Sequence, residues 1–354
     1  MTQRIEAGSG SAVWIGAGLL GRAREYLASP SGRYLLVFSA GAASAAARIR
    51  ASLAGRLTLD LSVGDREEEK RLGAVERIAD AALEADVRRD DAFVAVGGGV
   101  VSDIVGFAAA IVLRGVAWNA VPTTTGAMAD AAIGGKTGVD TKAGKNLIGS
   151  FHPPRCVLID PAALDGLPER DYRAGLVEAY KAAWTADRNL ADRGEKSLSA
   201  ILERREEPLL DLLGGAAGVK AAIVSEDLRE SDRRRLLNFG HTLGHAFEAA
   251  GGYRELKHGE AVAWGIAGAL EISARRAGLT REDASRVRAT LSALGPFPEP
   301  VRDASVLAPY LARDKKKTVR GVAGVLLESI GRARIEESIP EREWLDAAQF
   351  ARLS

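Results

Sequence analysis

The sequence predicts an α/β protein in which a parallel-sheet N-terminal domain precedes a mainly α-helical C-terminal domain. Short apolar runs alternate with helical patterns over residues 11–164, which is typical of a parallel sheet covered by helices. Over residues 168–315, helical patterns follow one another with few strand signals. We therefore expect two domains, residues 1–164 and 165–354, with the binding site in the cleft between them.

Apolar runs bounded by turn residues predict the strands, and amphipathic runs predict the helices. In the first domain the predicted strands cover residues 11–15, 34–38, 92–96 and 118–121, and the predicted helices cover residues 42–53, 67–85 and 103–113. In the second domain we predict helices at residues 171–186, 198–213, 219–227, 236–250, 260–278, 284–294 and 305–313. Two short strands, 322–327 and 333–336, and a helix near 341–350 complete the chain.

The composition is that of an ordinary globular protein. Apolar residues make up 47% of the sequence and charged residues 27%. The formal net charge of +1 argues against broad binding to nucleic acid or to anionic membranes. Basic residues cluster locally at 136–145, 233–235 and 315–317, which fits a small anionic ligand better than a polymer.

The cysteine content and the N-terminal residues predict a cytoplasmic location. The single cysteine, Cys156, excludes an internal disulfide and suits a reducing compartment. We interpret it as a strand residue in the core rather than as a nucleophile. The N-terminus has no apolar segment typical of a signal peptide, and we expect no membrane span because charges interrupt each apolar run.

Residues 16–21 match the G-x-G-x-x-G pattern of dinucleotide-binding turns. That fingerprint requires an acidic residue about 20 positions later to bind the adenosine ribose. Between Glu25 and Asp60 the sequence contains no Asp or Glu. We therefore interpret residues 16–21 as a tight turn between a strand and a helix.

A second glycine cluster, Gly97-Gly98-Gly99, follows the predicted strand at 92–96. Glycines at the carboxyl end of a parallel strand let backbone N–H groups approach a phosphate closely. Asp103 would lie on the first turn of the next helix, which favours a cofactor site over a plain packing turn. The following strand ends in Thr123-Thr124-Thr125, whose hydroxyls either bind ribose or phosphate oxygens or cap the next helix.

Two lysines flanked by glycines, Lys136 and Lys145, are close together in the sequence. Lys136 follows two glycines, and Lys145 lies between Gly144 and Asn146. Glycine beside a cation suggests a loop that wraps closely around an anion, whereas solvated loop lysines need no glycine. We expect this segment to bind an anionic ligand.

Three of the four histidines in the chain, His241, His245 and His258, lie within one short segment. His241 and His245 are four residues apart and would share one face of a helix, and a Gly-Gly break before His258 allows two helices to meet there. This clustering favours a metal or catalytic site, and imidazole with a carboxylate suits zinc with a position open to a substrate oxygen. The candidate carboxylate is Glu178, in the predicted helix 171–186.

Taken in order, the motifs between residues 34 and 317 resemble those of the 3-dehydroquinate synthases, in the sugar-phosphate cyclase superfamily. Each motif alone is weak, but their order makes the resemblance specific. The motifs are Gly97-Gly-Gly-Val-Val-Ser-Asp103, Arg114-Gly, Val121-Pro-Thr-Thr, Asp130, Gly134-Gly-Lys-Thr-Gly-Val-Asp140, Gly144-Lys-Asn-Leu-Ile-Gly149, Glu178-Ala-Tyr-Lys181, Asn238-Phe-Gly-His-Thr-Leu-Gly-His245, His258-Gly-Glu-Ala-Val262 and Arg313-Asp-Lys-Lys316.

The resemblance implies a Rossmann-like N-terminal domain, a bound NAD, one divalent metal ion (zinc, or cobalt as an alternative) and a homodimer in which Arg114 reaches the other subunit's site. Three residues fall on the family's metal-ligand positions: Glu178, His241 and His258. Those on cofactor-binding positions are Glu67, Lys70, Gly98, Gly99, Val100, Asp103, Thr123, Thr124, Asp130, Lys136 and Lys145. Those on substrate-contacting positions are Arg114, Asp130, Lys136, Lys145, Asn146, Lys181, Lys220, Arg234, Asn238, His245 and Lys315 or Lys316.

The resemblance also implies a reaction and an anionic substrate. The substrate would be 3-deoxy-D-arabino-heptulosonate 7-phosphate, which loses phosphate and closes to 3-dehydroquinate in the shikimate pathway. Two departures from the family concern the nucleotide: Ser39-Ala-Gly41 replaces an acidic residue, and Gly166 replaces a threonine. We therefore expect weaker cofactor binding, with the positions that carry the chemistry intact.

Two other enzyme classes stay open at this point. A metal-dependent alcohol or glycerol dehydrogenase shares the three-glycine turn and the histidine ligation, but a neutral polyol does not need so many lysines and arginines. Another sugar-phosphate cyclase, acting for example on a sedoheptulose phosphate, is the second alternative. The intact Gly-Gly-Lys136-Thr and the presence of His245 favour the dehydroquinate-forming branch. A non-enzymatic nucleotide-binding module would give the histidine cluster no role.

Overall fold

The computed structural model describes residues 2–142, 144–312, 317–318 and 321–353. The chain divides into two compact units. The first comprises Met1–Pro168 and Lys220–Arg229, and the second comprises Glu169–Val219 and Glu230–Ser354. Residues 220–229 therefore group with the first unit although they lie far along the chain. The predicted α/β class, with a parallel sheet first and helices after it, is confirmed.

The first unit is built on a seven-stranded sheet with the order β1-β2-β9-β6-β5-β3-β4. All neighbouring pairs are parallel except β1 with β2. Strand β5 is apolar and buried along its whole length, as expected for the centre of a parallel sheet. The strands of this unit are β1 Gln3–Glu6, β2 Ala12–Ile15, β3 Tyr34–Ser39, β4 Leu57–Val63, β5 Ala92–Gly97, β6 Ala117–Pro122, β7 Lys136–Thr141, β8 Gly144–Phe151 and β9 Cys156–Ile159.

Three α-helices accompany this sheet: α1 Ala43–Ser52, α2 Leu72–Glu84 and α3 Gly99–Ile111. The helix predicted at 67–85 begins later, because Glu67–Glu69 form a short 3-10 turn and the residues after it leave the helical conformation. The helix predicted at 103–113 begins earlier, at Gly99. Asp103 therefore lies beyond the first turn, and that part of the prediction is wrong.

The sequence suggested that the glycine-flanked lysines lie in a loop, but the structure places them in strands. Residues 136–141 and 144–151 form β7 and β8, a two-stranded antiparallel sheet. Two other glycines of this hairpin serve the pairing, because a Cβ on Gly149 would overlap the carbonyl oxygen of Thr137 and one on Gly138 would lie 2.6 Å from the carbonyl oxygen of Ile148. Close approach of two backbones explains these two glycines.

The second unit is mainly helical, and a three-stranded antiparallel sheet completes it. Its helices are α4 Glu169–Ala186, α5 Arg188–Lys196, α6 Leu198–Leu202, α7 Glu206–Glu226, α8 His241–Ala250, α9 His258–Arg276, α10 Arg281–Leu294, α11 Ala304–Ala312 and α12 Glu341–Phe350. Its strands are β10 Lys317–Thr318, β11 Gly321–Ser329 and β12 Arg332–Ile339. The last residues of α7 belong to the first unit.

Helix α7 is longer and more apolar than the sequence patterns suggested. It joins the segments predicted separately at 198–213 and 219–227, after the short helix α6. Among the described residues, it is the one helix that is long and apolar enough to cross a membrane by length and composition, with 56% of the tested window buried. Asp211 and Lys220 lie within its apolar run, so this helix does not contradict the expectation that charges interrupt each run. A core helix passes the same test.

Candidate metal centre and nucleotide site

Helix α4 carries a buried acid and a buried base one turn apart. Glu178 is 4% exposed and Lys181 is 1% exposed, in a run that also buries Val177, Tyr180 and Trp184. The two charged side chains form an ion pair at the i,i+3 spacing. Burial of such an ion pair costs desolvation free energy and generally adds little to the free energy of unfolding. A functional role explains why both charges lie inside the protein.

The histidines approach Glu178 from two other helices. The preceding 3-10 turn ends at Asn238, and Gly240, at a φ of 78°, is the N-cap of α8, which therefore begins at His241 rather than at the predicted residue 236. His258 is the first residue of α9. Nε2 of His258 lies 3.5 Å from Oε1 of Glu178, and Nε2 of His241 lies 3.9 Å from the same oxygen.

These three side chains fit a divalent metal ion. One ligand atom from each of Glu178, His241 and His258 lies within 4.8 Å of the others. Both carboxylate oxygens of Glu178 are buried, and apart from the ion pair with Lys181 neither has a hydrogen-bond partner within the part of the chain that the structure describes. Two imidazoles and one carboxylate match catalytic zinc sites that keep a position open. The geometry therefore supports the ligand set that the resemblance implies.

The Nδ1 atoms of both histidines face away from Glu178, toward hydrogen-bond acceptors. Nδ1 of His241 lies 3.2 Å from the backbone oxygen of Phe239. Nδ1 of His258 lies 3.3 Å from Oε2 of Glu248, a buried residue of α8. Such partners fix the tautomer and the ring orientation of metal-ligating histidines. His245 takes no part in the Glu178 group, but its ring centroid is 5.3 Å from that of His241.

Glycines bring the three helices close together. A Cβ on Gly259, the residue after His258, would overlap the backbone oxygen of Ala174 in α4. A Cβ on Gly265 would overlap the backbone oxygen of Gly240, just before α8. The start of α9 is also tied to α4 by a bidentate ion pair, in which Arg170 Nε and Nη2 lie 2.6 and 2.7 Å from the two oxygens of Glu260. Close backbone contact thus places the ligands.

Other residues on substrate-contacting positions of the second unit lie in the segment before α8. Arg234 is 1% exposed, which is unusual for an arginine. Nδ2 of Asn238 donates to Oε1 of Glu230 at 2.5 Å. Lys315 and Lys316 lie outside the described residues. The roles of these residues in substrate binding stay predictions.

In the first unit, the three-glycine turn lies where strand order reverses. Strand β4 lies on one side of β3 in the sheet, and the next strand of the chain, β5, lies on the other side of β3. Ligands of open α/β sheets bind beside the carboxyl ends of the strands at such a reversal. Gly97 ends β5, and Gly98 and Gly99 lead into α3 with Val100 in its first turn. A Cβ on Gly98 would lie 3.1 Å from Cγ2 of Thr124.

The threonines at the end of β6 lie beside this turn. The backbone N–H of Thr123 donates to the backbone oxygen of Gly97 at 2.9 Å. Oγ1 of Thr124 accepts a hydrogen bond from the backbone N–H of Ala127 at 3.2 Å. Thr124 therefore caps the next turn, which is one of the two roles that the sequence allowed, and its methyl group faces the glycines. Its contact with a cofactor stays a prediction.

Charged residues on nucleotide positions form one network in the first unit. Lys70 pairs with Asp103 and donates to Oδ1 of Asn146 at 2.6 Å, while Nζ of Lys145 lies 3.2 Å from Oε1 of Glu67. Burial raises the pKa of Asp103 to about 6, against the opposing effect of the Lys70 ammonium. A buried carboxyl group with a raised pKa and a specific cationic partner is a candidate for a functional site.

Asp130 and Lys220 are also brought together in the first unit. Asp130 lies in a π-helical turn, Ala127–Ala131, and its carboxylate forms an ion pair with Lys220, which is 6% exposed. Single π-helical turns occur frequently at functional sites. Lys136 begins β7 and has an exposed side chain. The ligand contacts of Asp130, Lys136 and Lys220 stay predictions.

The residues at 16–21 make a tight turn, as predicted. The strand β2 ends at Ile15, and a 3-10 helix begins at Leu20. The backbone N–H of Leu20 donates to Oδ2 of Asp160 at 3.0 Å, so this N–H group already has a carboxylate of the protein as its acceptor. Cys156 is 1% exposed in β9, and burial raises the pKa of its thiol to about 12, as expected for a core residue.

Sequence reasoning missed three residues that shape the metal centre: Glu248, Gly259 and Glu260. A signal for Glu248 was present, because His241, His245 and Glu248 recur at i, i+4 and i+7 and so share one helix face. Glu260 is fully buried, and its Oε2 accepts the backbone N–H of Lys257 at 2.7 Å, three residues earlier. That spacing is typical of a helix start. Gly259 and Glu260 belong to the motif from His258 to Val262 that carried the resemblance, but no role was predicted for either.

Comparison with known proteins gives matches along most of the chain. A family model described as 3-dehydroquinate synthase N-terminal matches residues 60–174, and one described as 3-dehydroquinate synthase C-terminal matches residues 175–317. A curated 3-dehydroquinate synthase of Solibacter usitatus is 41% identical over 337 residues, which cover 94% of each chain.

Solved structures of related cyclases share the fold. The structure of a 2-epi-5-epi-valiolone synthase from Streptomyces hygroscopicus, with NAD+ and Zn2+ bound, has 32% sequence identity and a TM-score of 0.85, covering 96% of this chain and 95% of its own. The structure of a 2-deoxy-scyllo-inosose synthase complexed with carbaglucose-6-phosphate, NAD+ and Co2+ has 25% identity and a TM-score of 0.84, covering 99% of this chain and 100% of its own.

Proposed function

Because the chain belongs to the 3-dehydroquinate synthase family, we propose that it converts 3-deoxy-D-arabino-heptulosonate 7-phosphate to 3-dehydroquinate and phosphate, a lyase reaction of the shikimate pathway. The observation that carries the proposal is the convergence of Glu178, His241 and His258 from three helices in a chain that matches the family along most of its length. We propose a soluble, cytoplasmic enzyme that binds neither nucleic acid nor membranes.

We propose that Glu178, His241 and His258 hold one zinc ion, with cobalt as a substitute. The three-glycine turn and the Lys70–Asp103 network would bind NAD. When bound, zinc would supply a Lewis acid for substrate oxygens, and NAD would supply a transient hydride acceptor. Together they would make the C–H group beside the oxidised carbon of the substrate acidic enough for loss of phosphate. NAD would be regenerated in each turnover, so we expect no net formation of NADH.

The protein's own contribution is to bind and orient a strongly anionic substrate. The substrate carries a carboxylate and a phosphate, which cations bind through charge-assisted hydrogen bonds. The buried cations Lys181 and Arg234 cannot be fully hydrated, so an anion near them gains more than it would near a surface lysine. The remaining proposed contacts are those of Arg114, Asp130, Lys136, Lys145, Asn146, Lys220, Asn238 and His245.

One assay separates this function from its alternatives. Inorganic phosphate and NADH absorbance are followed together after addition of the seven-carbon acid phosphate to enzyme loaded with zinc and NAD. We expect steady phosphate release without accumulating NADH, and a carbocyclic product by mass spectrometry. NADH accumulation without phosphate would indicate a dehydrogenase. Turnover of a sedoheptulose phosphate in place of the acid phosphate would indicate another cyclase.

We propose a homodimer in which Arg114 completes the site of the other subunit. The backbone presents this side chain from a constrained turn: φ is 49° at Leu113, 65° at Arg114 and 124° at Gly115. Positive φ is unfavourable for non-glycine residues and persists where function requires it. Arg114 is exposed on the subunit that carries it.

Mixing two inactive variants tests this shared site. Arg114→Ala and Glu178→Gln are each expected to be nearly inactive alone. If Arg114 acts across the dimer, subunit exchange creates mixed dimers in which one site has both defects and the other has neither. An equimolar mixture should then recover about a quarter of the wild-type activity, as random pairing in a two-fold dimer requires. No recovery after proven exchange would show that Arg114 acts within its own subunit, and full activity of Arg114→Ala alone would show that it takes no part.

A further inference from the structure

We infer that Glu248 is a positioning residue, which holds the His258 ring in the tautomer and direction that metal binding needs. The inference rests on the metal centre of the proposed function and extends it to a carboxylate outside the ligand set. Glu248 would not touch the ion; it would act through His258.

His258 lies between two buried carboxylates, one facing each ring nitrogen. Nε2 faces Oε1 of Glu178 at 3.5 Å, and Nδ1 faces Oε2 of Glu248 at 3.3 Å. A neutral imidazole carries one N–H and one lone pair. A hydrogen on Nδ1 makes a bond to Glu248 and leaves the Nε2 lone pair directed at the group that contains Glu178 and His241. The opposite tautomer would bring a lone pair against the Glu248 carboxylate.

His241 provides an internal comparison. Its Nδ1 faces the backbone oxygen of Phe239 at 3.2 Å, and a carbonyl oxygen only accepts hydrogen bonds. Nδ1 of His241 therefore carries the hydrogen, and its Nε2 lone pair points toward Glu178. Glu248 does for His258 what a backbone carbonyl does for His241. The carboxylate also raises the basicity of the ligand, which a neutral carbonyl does less well.

His258 depends on this hydrogen bond more than His241 depends on its own. The side chain of His258 is 46% exposed, whereas that of His241 is 8% exposed and is held by packing. His258 is also the first residue of its helix, so no preceding helical turn restrains it. Glu248 itself is 4% exposed on α8. A buried, fixed carboxylate can orient a ring that packing leaves free to turn.

The test compares Glu248→Gln and Glu248→Ala with Asp283→Asn, a matched control. Asp283 is a buried carboxylate of the same unit, 6% exposed, whose Oδ2 accepts the backbone N–H of Ile330. Each purified variant is stripped and titrated with zinc against a chromophoric chelator. Cobalt is then substituted, and its visible absorption reports the ligand geometry independently of turnover.

We expect the zinc dissociation constant to rise about 10- to 100-fold in Glu248→Ala, the usual cost of removing such a partner. Glu248→Gln should lie between Ala and wild type, because its amide oxygen still accepts the Nδ1 hydrogen without the negative charge. The cobalt spectrum should shift in the same order. Asp283→Asn should lose thermal stability but keep the wild-type affinity and spectrum.

Two results would overturn the inference while leaving the proposed function standing. One is wild-type zinc affinity and cobalt spectrum in both Glu248 variants. The other is a second zinc ion that disappears in Glu248→Gln, since His245, Glu248 and His258 also have ligand atoms within 4.8 Å of one another and Glu248 would then be a ligand. Failure of the wild type itself to bind zinc through Glu178 would instead remove the proposed metal centre, and the inference with it.

Discussion

Glu178→Gln is expected to lose bound metal and nearly all turnover. The substitution keeps the size of the side chain but removes the one negative charge among the three ligands, and with it the strongest attraction to a divalent cation. We expect zinc content below about a tenth of an ion per chain after dialysis, and a fall in kcat of at least about 1,000-fold, which corresponds to roughly 4 kcal/mol of transition-state stabilisation. Zinc analysis and phosphate release measure the two effects.

The matched control for this change is Glu169→Gln on the same helix. Glu169 has a side chain that is 52% exposed and pairs with Arg173 and Arg204 at the surface. Its loss should leave kcat and zinc content within about twofold, as expected for exposed ion pairs. A metal-loaded, active Glu178→Gln would refute the ligand assignment.

Loss of stability has to be separated from loss of the metal in Glu178→Gln. The change leaves the Lys181 ammonium buried without its carboxylate, which is strongly destabilising in general. The double variant Glu178→Gln/Lys181→Met removes both members of the pair. We expect it to recover much of the thermal stability but none of the zinc. If zinc binding recovered along with stability, the loss of zinc in Glu178→Gln would be a consequence of impaired folding.

The histidine spacing contained much of this site, but not the choice of ligands. The i,i+4 pair and the break before His258 predicted that three imidazoles would meet, and their ring centroids lie within 6.0 Å of one another. Which two face Glu178 depends on the direction of each ring. Gly240, the residue before α8, determines where the helix that carries His241 begins, and acceptors such as Glu248 orient the rings. Neither follows from residue spacing alone. The resemblance to a family supplied the choice.

The fold class was predictable because hydrophobic periodicity in the sequence reflects which residues are buried. The boundaries of helices and strands were harder to predict because they depend on backbone hydrogen bonding. The apolar strands at 34–38 and 92–96 were placed within a residue of β3 and β5. The start of α3 at Gly99 was missed, because glycine is a poor helix former and reads as a turn. The strand β4, Leu57–Val63, was missed because none of its residues is fully buried and its pattern is weak.

Close approach between helices is the other property that a single sequence does not reveal, and Gly259→Ala tests it. In an open helix this change stabilises by up to about 1 kcal/mol, because alanine is the better helix former. Here the added Cβ would overlap the backbone oxygen of Ala174, and a backbone atom cannot rotate away. Helices α4 and α9 would have to separate, which moves His258 from Glu178. We expect a loss of about 2 kcal/mol or more in the free energy of unfolding.

The functional effect of Gly259→Ala should exceed its effect on stability. A shift of about 1 Å between ligands is enough to disrupt a metal site, so zinc affinity should fall by at least about 100-fold in protein that remains folded. Gly73→Ala in α2 is the control, because an added Cβ there meets no described heavy atom within 4 Å. It should be neutral or slightly stabilising, with unchanged zinc binding. Denaturant titration and chelator competition on both variants distinguish helix separation from a general response to alanine. Equal stability and equal zinc affinity of the two variants would show that contact with Ala174 does not place His258.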